Sequence, residues 1–161
     1  MEYKMTILVI NNKGQYNHRI QRSLQYLNIP SELVSNTLSI EEIESKNPIG
    51  LILGGGPSLE GAGNSEEYIK HFDIPILGIC YGCQLLAHHL GGAVTAAEDE
   101  NAREYGKTLT FYDNCCLLFD ELAEEGISWM SHGDYMKKVP DGFKLVAHSE
   151  KCPNVAICDE E

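Results

Sequence analysis

Ile74-Pro75-Ile76-Leu77-Gly78-Ile79-Cys80-Tyr81-Gly82-Cys83-Gln84 reads as a buried strand that stops at a cysteine and becomes a helix. Ile74, Ile76, Leu77 and Ile79, led in by Pro75, suit a short strand covered on both faces. The segment Gln84 to Leu90 follows with helical spacing and ends at the stop signal Gly91-Gly92. Cys80 sits at the join, with Gly78 two residues before it and Gly82 two after. Small residues there let the backbone turn sharply enough to hold a side chain up in a strained strand-to-helix turn, the logic of the nucleophile elbow. At a helix N-terminus a thiolate is stabilised by unpaired N–H groups and the positive end of the dipole, so Cys80 is a candidate activated nucleophile.

Upstream, residues 5–10 form a first apolar run, broken by Asn11-Asn12-Lys13-Gly14. A helical pattern through Ile20, Leu24 and Leu27 ends before Pro30, and a second strand is expected at 31–35. Ser39-Ile40-Glu41-Glu42 resembles a capped helix start. Ile49 to Leu53 is a third buried strand, closed by Gly54-Gly55-Gly56-Pro57, and a weaker helix at 64–71 leads back to the elbow. Strands alternating with helices at this spacing predict an α/β fold with a doubly wound, mostly parallel sheet and helices on both faces. Ligands of such sheets bind beyond the carboxyl ends of the strands, which is where the Gly14 loop, the Gly54 to Pro57 loop and Cys80 fall.

Downstream the pattern changes. Ala93 to Ala97, Glu104 to Tyr112, Ile127 to Met130, Phe143 to His148 and Asn154 to Cys158 read as strands with only one short helix among them, Leu117 to Leu122. The second half is therefore expected to be antiparallel. Asp159-Glu160-Glu161 follows a strand that would ordinarily return as a hairpin, so the sequence reads as one domain, 1–161, lacking a return strand and a last helix.

A chain of 161 residues is long enough for one domain with a proper core. Its net charge of −12, from 24 acidic against 12 basic residues, disfavours nucleic acid and anionic membrane surfaces as partners, because both need a basic face. The N-terminal apolar run is too short for a signal peptide, and nothing later approaches a membrane span. Six cysteines without a secretory signal point to a reducing cytoplasmic setting, with Cys115, Cys116, Cys152 and Cys158 as structural thiols.

Three readings of Cys80 stand at this point. It is a buried thiol at a strand end; or it belongs to Cys80-Tyr81-Gly82-Cys83, formally a C-x-x-C thiol oxidoreductase motif; or it attacks a carboxamide to form a thioester, with N–H groups holding the oxyanion. A non-catalytic regulatory role is a further alternative. Gly78-Ile79-Cys80-Tyr81-Gly82-Cys83-Gln84 resembles the G-x-C-x-G-x-Q pattern of the class I glutamine amidotransferases. Asn11 to Tyr16, Gly55-Gly56-Pro57-Ser58, Arg103-Glu104-Tyr105-Gly106 and Trp129-Met130-Ser131-His132-Gly133-Asp134 resemble, in the same order, the glutaminase part of GMP synthases, closest to the archaeal two-subunit type.

The resemblance implies a flavodoxin-like fold and a glutaminase that passes ammonia to an ATP-dependent synthetase subunit, which aminates XMP. It implies Cys80 as the nucleophile, an oxyanion hole from the backbone N–H groups of Gly56 and Tyr81, and glutamine held by Gly55, Gln84, Ser131 and His132. No metal or organic cofactor is implied for this domain; ATP and Mg2+ belong to the partner. Glutaminases of anthranilate or aminodeoxychorismate synthesis share the fold. Each residue also has a plain structural reading: Gln84 as a helix cap, Ser131-His132 as a turn, Asp134 as a cap of the next segment, and the remaining histidines as surface residues. The family completes its triad with a His-Pro-Glu on a strand soon after the position where this sequence ends, and no His-Pro-Glu occurs in it. Asn11 and Lys13 replace the usual Asp and Gly of the first loop, and Cys83 stands where His is common.

Overall fold

The computed structural model describes residues 5–57, 61–96 and 103–159. The chain divides into two compact units, Met1–Leu86 and Ala87–Glu161.

In the first unit β1 (Thr6–Asn11), β2 (Ser31–Ser35), β3 (Pro48–Leu53) and β4 (Ile76–Gly78) form a four-stranded sheet of order β2-β1-β3-β4. Every pairing is parallel, with Val9 opposite Leu33 on one side and Ile52 on the other, and Ile52 opposite Leu77. The helices α1 (Asn17–Tyr26), α2 (Ile40–Glu44), α3 (Ser65–His71) and α4, which begins at Tyr81 and runs to His89, connect and follow these strands. The fold is the expected doubly wound α/β sheet. β1 and β3 are near-continuous apolar runs because a parallel strand between helical layers is covered on both faces. Leu8, Ile10, Leu51 and Leu53 turn to one face and pack with Ile43 of α2, Tyr68 of α3 and Tyr81 and Leu85 of α4. Each such side chain taken out of water contributes about 1.5–3 kcal/mol. Val9 and Ile52 alternate with them and are buried on the opposite face, while α1 packs on β1 and β2.

At five residues α2 is too short to hold its shape by propensity alone. Its N-terminus is closed by the expected cap: Ser39 Oγ accepts from the Glu42 N–H at 3.2 Å, and Glu42 Oε2 accepts from the Ser39 N–H at 2.7 Å.

The elbow strand departs from expectation. β4 has three residues, none of them fully buried, and Ile79 is 38% exposed. Among the described residues β4 pairs with β3 alone.

The second unit is antiparallel, as its helix-poor pattern suggests. β5 (Ala93–Ala96), β6 (Glu104–Tyr112), β7 (Glu125–His132), β8 (Asp134–Lys138), β9 (Phe143–Ser149) and β10 (Ala156–Asp159) make a four-stranded sheet of order β10-β9-β6-β7 and a β5-β8 ribbon. Ala97 and the acidic stretch after it, like Ser58, lie outside the described residues. The expected helix at Leu117 to Leu122 is only a 3-10 turn at Leu117–Phe119, with Leu117 and Leu118 exposed and Phe119 packed on Tyr112 at 5.0 Å. Ser131 and His132 are not a turn: they end β7, opposite Tyr105 and Glu104 of β6. Asp134, read as a cap of the next segment, is itself the first residue of β8, a strand too polar to read in advance, whose Met136 is buried. Of the thiols expected to be structural, Cys116 and Cys152 are buried, whereas Cys115 is exposed and Cys158 half-buried. The Cys115 N–H donates to Asp113 Oδ1 at 2.9 Å in a surface turn that leaves its side chain outside.

Candidate active site

Cys80 has φ +56°, a left-handed conformation that costs a non-glycine residue about 1–2 kcal/mol. The strain follows from the two glycines around it. A Cβ on Gly78 would lie 2.6 Å from the backbone of Gly82 and Cys83, and one on Gly82 would lie 1.9 Å from the carbonyl oxygen of Leu53. The chain thus leaves β4, crosses the end of β3 and enters α4 with no room for side chains at either glycine. The Ile79 N–H donates to Leu53 O at 3.0 Å, and the Gln84 N–H to Cys80 O at 3.1 Å, pinning the turn on both sides. Gln84 is half-buried in the first turn of α4.

The thiol is not the depressed one that a helix N-terminus suggests. The Cys80 side chain is exposed, so it is not the buried thiol of the first reading. The protein packed around one side of it still desolvates the thiolate and pushes its pKa above the ordinary value, and a hydrogen bond from the Tyr81 N–H works in the other direction without cancelling it. Tyr81 is 2% exposed, its ring in the core and its own phenol pushed up by burial and by the charge of Glu66.

The glycine loop after β3 reaches the same edge. Gly56 lies against Asn12 and Tyr81: a Cβ there would be 2.6 Å from Asn12 O and 2.9 Å from Tyr81 Cδ1. Gly56, Tyr81 and Cys80 are therefore neighbours, as the sequence motifs suggest. Gly55 faces the first loop instead, where its carbonyl accepts from the Gly14 N–H at 2.9 Å and from Asn17 Nδ2 at 3.1 Å. Behind the loop runs a buried chain of amides. Asn12 Nδ2 donates to Gly54 O at 3.4 Å, while its Oδ1 accepts from Asn36 Nδ2 at 3.2 Å and Ser65 Oγ at 2.9 Å. Asn17 and Asn36 belong to none of the sequence motifs; the only signal for them is an unusual density of asparagines next to glycine loops. Lys13 has φ +67°, the conformation a glycine takes without strain, where the family pattern has Gly.

In the second unit His132 Nε2 lies 3.2 Å from Glu104 Oε2, and Ser149 Oγ donates to Glu104 Oε1 at 2.5 Å. The two family-like stretches Arg103 to Gly106 and Trp129 to Asp134 are thus joined by a side-chain pair. The sequence also contains one His-x-Glu spacing, His148-Ser149-Glu150, which lacks the central proline of the family's pattern. His148 is on the exposed side of β9, stacked on Phe111 at 5.1 Å, and Ser149 is turned inward toward Glu104. Among the described residues no three His, Cys, Asp or Glu side chains are grouped to hold a metal ion, and no helix is long and apolar enough to cross a membrane.

Residues 8–161 match the family model described as glutamine amidotransferase class-I. The chain belongs to the class I glutamine amidotransferases. It is 65% identical, over 92% of its length and 76% of the relative's, to a subunit of the glutamine-hydrolysing GMP synthase of Methanobrevibacter smithii. With the protein of the same name from Methanothermobacter thermautotrophicus it shares 52% over 91% of this chain and 77% of that one. Among solved structures, a protein described as a putative GMP synthase subunit from Thermoplasma acidophilum superposes with a TM-score of 0.87 at 32% identity, covering 99% of this chain and 80% of that one. The likeness in sequence is therefore matched by a likeness in fold along nearly the whole chain.

Proposed function

We propose that the chain is the glutaminase component of a GMP synthase, hydrolysing L-glutamine to glutamate and supplying ammonia to an ATP-dependent synthetase subunit that converts XMP to GMP. The observation that carries the reading is the strained Cys80 turn with Gly56 against Tyr81, in a chain 65% identical to a protein named as a GMP synthase subunit. Cys80 Sγ attacks the side-chain carboxamide carbon of glutamine. The oxyanion is held by the N–H groups of Gly56 and Tyr81, ammonia leaves, and water resolves the glutamyl thioester. Because desolvation holds the thiol above its ordinary range, the attack needs a general base to take its proton.

Gly55 and Gln84 of the first unit are the proposed contacts to glutamine; the resemblance adds the backbone of Ser131 and His132. No metal or organic cofactor takes part in this step; ATP and Mg2+ act on the synthetase subunit. The setting is the cytoplasm. The relatives' names favour this reading over glutaminases of anthranilate or aminodeoxychorismate synthesis and over C-x-x-C redox chemistry. The test is treatment with 6-diazo-5-oxo-norleucine followed by peptide mass mapping. An adduct on Cys80, blocked by excess glutamine, is expected. No adduct together with a readily formed Cys80 to Cys83 disulfide would sink the glutaminase in favour of redox chemistry.

A further inference from the structure

Asn17 opens α1 and is 2% exposed, and its carboxamide is spent on the glycine loop. Nδ2 donates to Gly55 O at 3.1 Å and to Asn11 Oδ1 at 2.9 Å, while Oδ1, buried against Gly54, has no hydrogen-bond partner. A buried acceptor left without a donor costs about 1–3 kcal/mol. Stability alone would favour an apolar residue at this position, so the role of the asparagine lies in what its donors hold.

They hold the carbonyl of Gly55, which the Gly14 N–H grips from a second direction at 2.9 Å. A trans peptide is planar, and its C=O and N–H point in opposite directions. Two donors on Gly55 O therefore fix where the Gly56 N–H points. That N–H has no acceptor among the described residues, and Gly56 packs on Tyr81, the residue after Cys80. The restraint is needed because of the sequence that makes the loop possible. Gly54 and Gly56 must lack side chains, since a Cβ would lie 2.1 Å from Asn17 Oδ1 and 2.6 Å from Asn12 O respectively. A Gly-Gly-Gly run, however, leaves its peptide planes free to rotate.

We infer that Asn17 is a positioning residue, clamping the Gly55 carbonyl so that the Gly56 N–H is aimed at the oxyanion formed on glutamine. This rests on the glutaminase reading. An oxyanion donor acts through preorganisation, and removing one outright costs about 100- to 1,000-fold in kcat. Loosening one by losing one of two restraints is expected to cost about 10- to 100-fold.

The experiment compares the full chain with Asn17→Ala and Asn17→Asp, the second keeping the shape but losing both donors. Glutaminase kinetics are normalised to Cys80 titrated with iodoacetamide, a reaction that needs no oxyanion hole. Both variants are expected to lose about 10- to 100-fold in kcat with the glutamine KM within about threefold, while iodoacetamide labels Cys80 at the wild-type rate. A purely structural role would lower labelling-competent protein and activity together and leave normalised kcat intact, which overturns the proposal. So does an Asn17→Asp protein of wild-type kcat. Hydrogen exchange at Gly55 and Gly56 is read alongside: it is expected to quicken in both variants relative to β1 and β3, and unchanged exchange also overturns the clamp. If the wild-type chain takes the diazo label without turning over glutamine, the rate of diazo labelling replaces kcat as the readout with the same expected loss; if Cys80 takes no label, the glutaminase reading fails, and the exchange measurement still decides whether Asn17 holds the loop.

Discussion

Glu104 and His132 face each other across β6 and β7, Glu104 Oε2 lying 3.2 Å from His132 Nε2 with the Glu104 side chain 1% exposed. The carboxylate is also the acceptor for Ser149 Oγ, whose oxygen accepts in turn from the Cys152 N–H at 2.9 Å. One buried acid therefore ties the end of β7 to the end of β9. Glu104→Ala leaves Ser149 without its acceptor and removes the carboxylate that lies beside His132. It is expected to lower stability by about 1–3 kcal/mol, the range for leaving a buried polar group without its hydrogen bond. Glu104→Gln, which still accepts from Ser149, is expected to lose clearly less. Urea titrations of the three proteins measure this, and equal midpoints for the wild type and Glu104→Ala would show that the pair contributes nothing.

Cys80 is strained for its position, and its replacement separates activity from stability. Cys80→Gly removes a left-handed cost of about 1–2 kcal/mol. Against this, glycine loses about 0.5–1 kcal/mol more on folding. A net gain of about 0.5–1 kcal/mol is expected, with complete loss of glutamine hydrolysis. A Cys80→Gly protein less stable than the wild type would mean that the thiol's packing outweighs its backbone strain.

Gly82 leaves no alternative at its position. The methyl of Gly82→Ala would sit 1.9 Å from a carbonyl oxygen of β3, and neither backbone segment is a flexible side chain that yields. The expected loss is about 3 kcal/mol or more, read as a drop in thermal midpoint or as failure to accumulate folded protein. Gly91→Ala is the matched control for a helix-end glycine, with nothing within 4 Å of its Cβ, and is expected to pay only for its φ of +92°.

The resting thiol sets a pH dependence. Alkylation by iodoacetamide follows the thiolate, and desolvation raises the Cys80 pKa above the ordinary thiol value of 9.0. In the protein without glutamine the labelling rate of Cys80 is therefore expected to keep rising with pH past the midpoint of an ordinary free thiol measured alongside. A plateau below about pH 8 would show a depressed thiol and restore the simple picture of a cysteine activated by its helix.

Much of the first unit was legible because its strands are buried between helices and their apolar runs have no other explanation. The bounds of β2 and the capping box of α2 follow from a few residues each, Ser31 to Ser35 and Ser39 with Glu42. The elbow was legible too, since Gly78 and Gly82 have a steric reason that any fold placing Cys80 on a tight turn must supply. Less was legible where strands face solvent on one side. β8 carries two lysines and an aspartate in five residues, and its identity comes from pairing with β5 rather than from its own pattern. The same holds for Ser131 and His132, turn-like in sequence and extended in the sheet.

By itself, then, the sequence determined the parallel character of the first unit, the antiparallel character of the second, the family, and Cys80 as the residue the family's chemistry points to. Local rules suffice for these, because spacing, glycine positions and apolar periodicity act within a few residues. Tertiary structure alone decided that Ser131 and His132 are extended rather than turned, that the Cys80 thiol is raised rather than lowered, and that Asn17 grips Gly55. Each of those depends on what comes near from a distant part of the chain, and burial and hydrogen bonding across the fold are quantities that no local pattern contains.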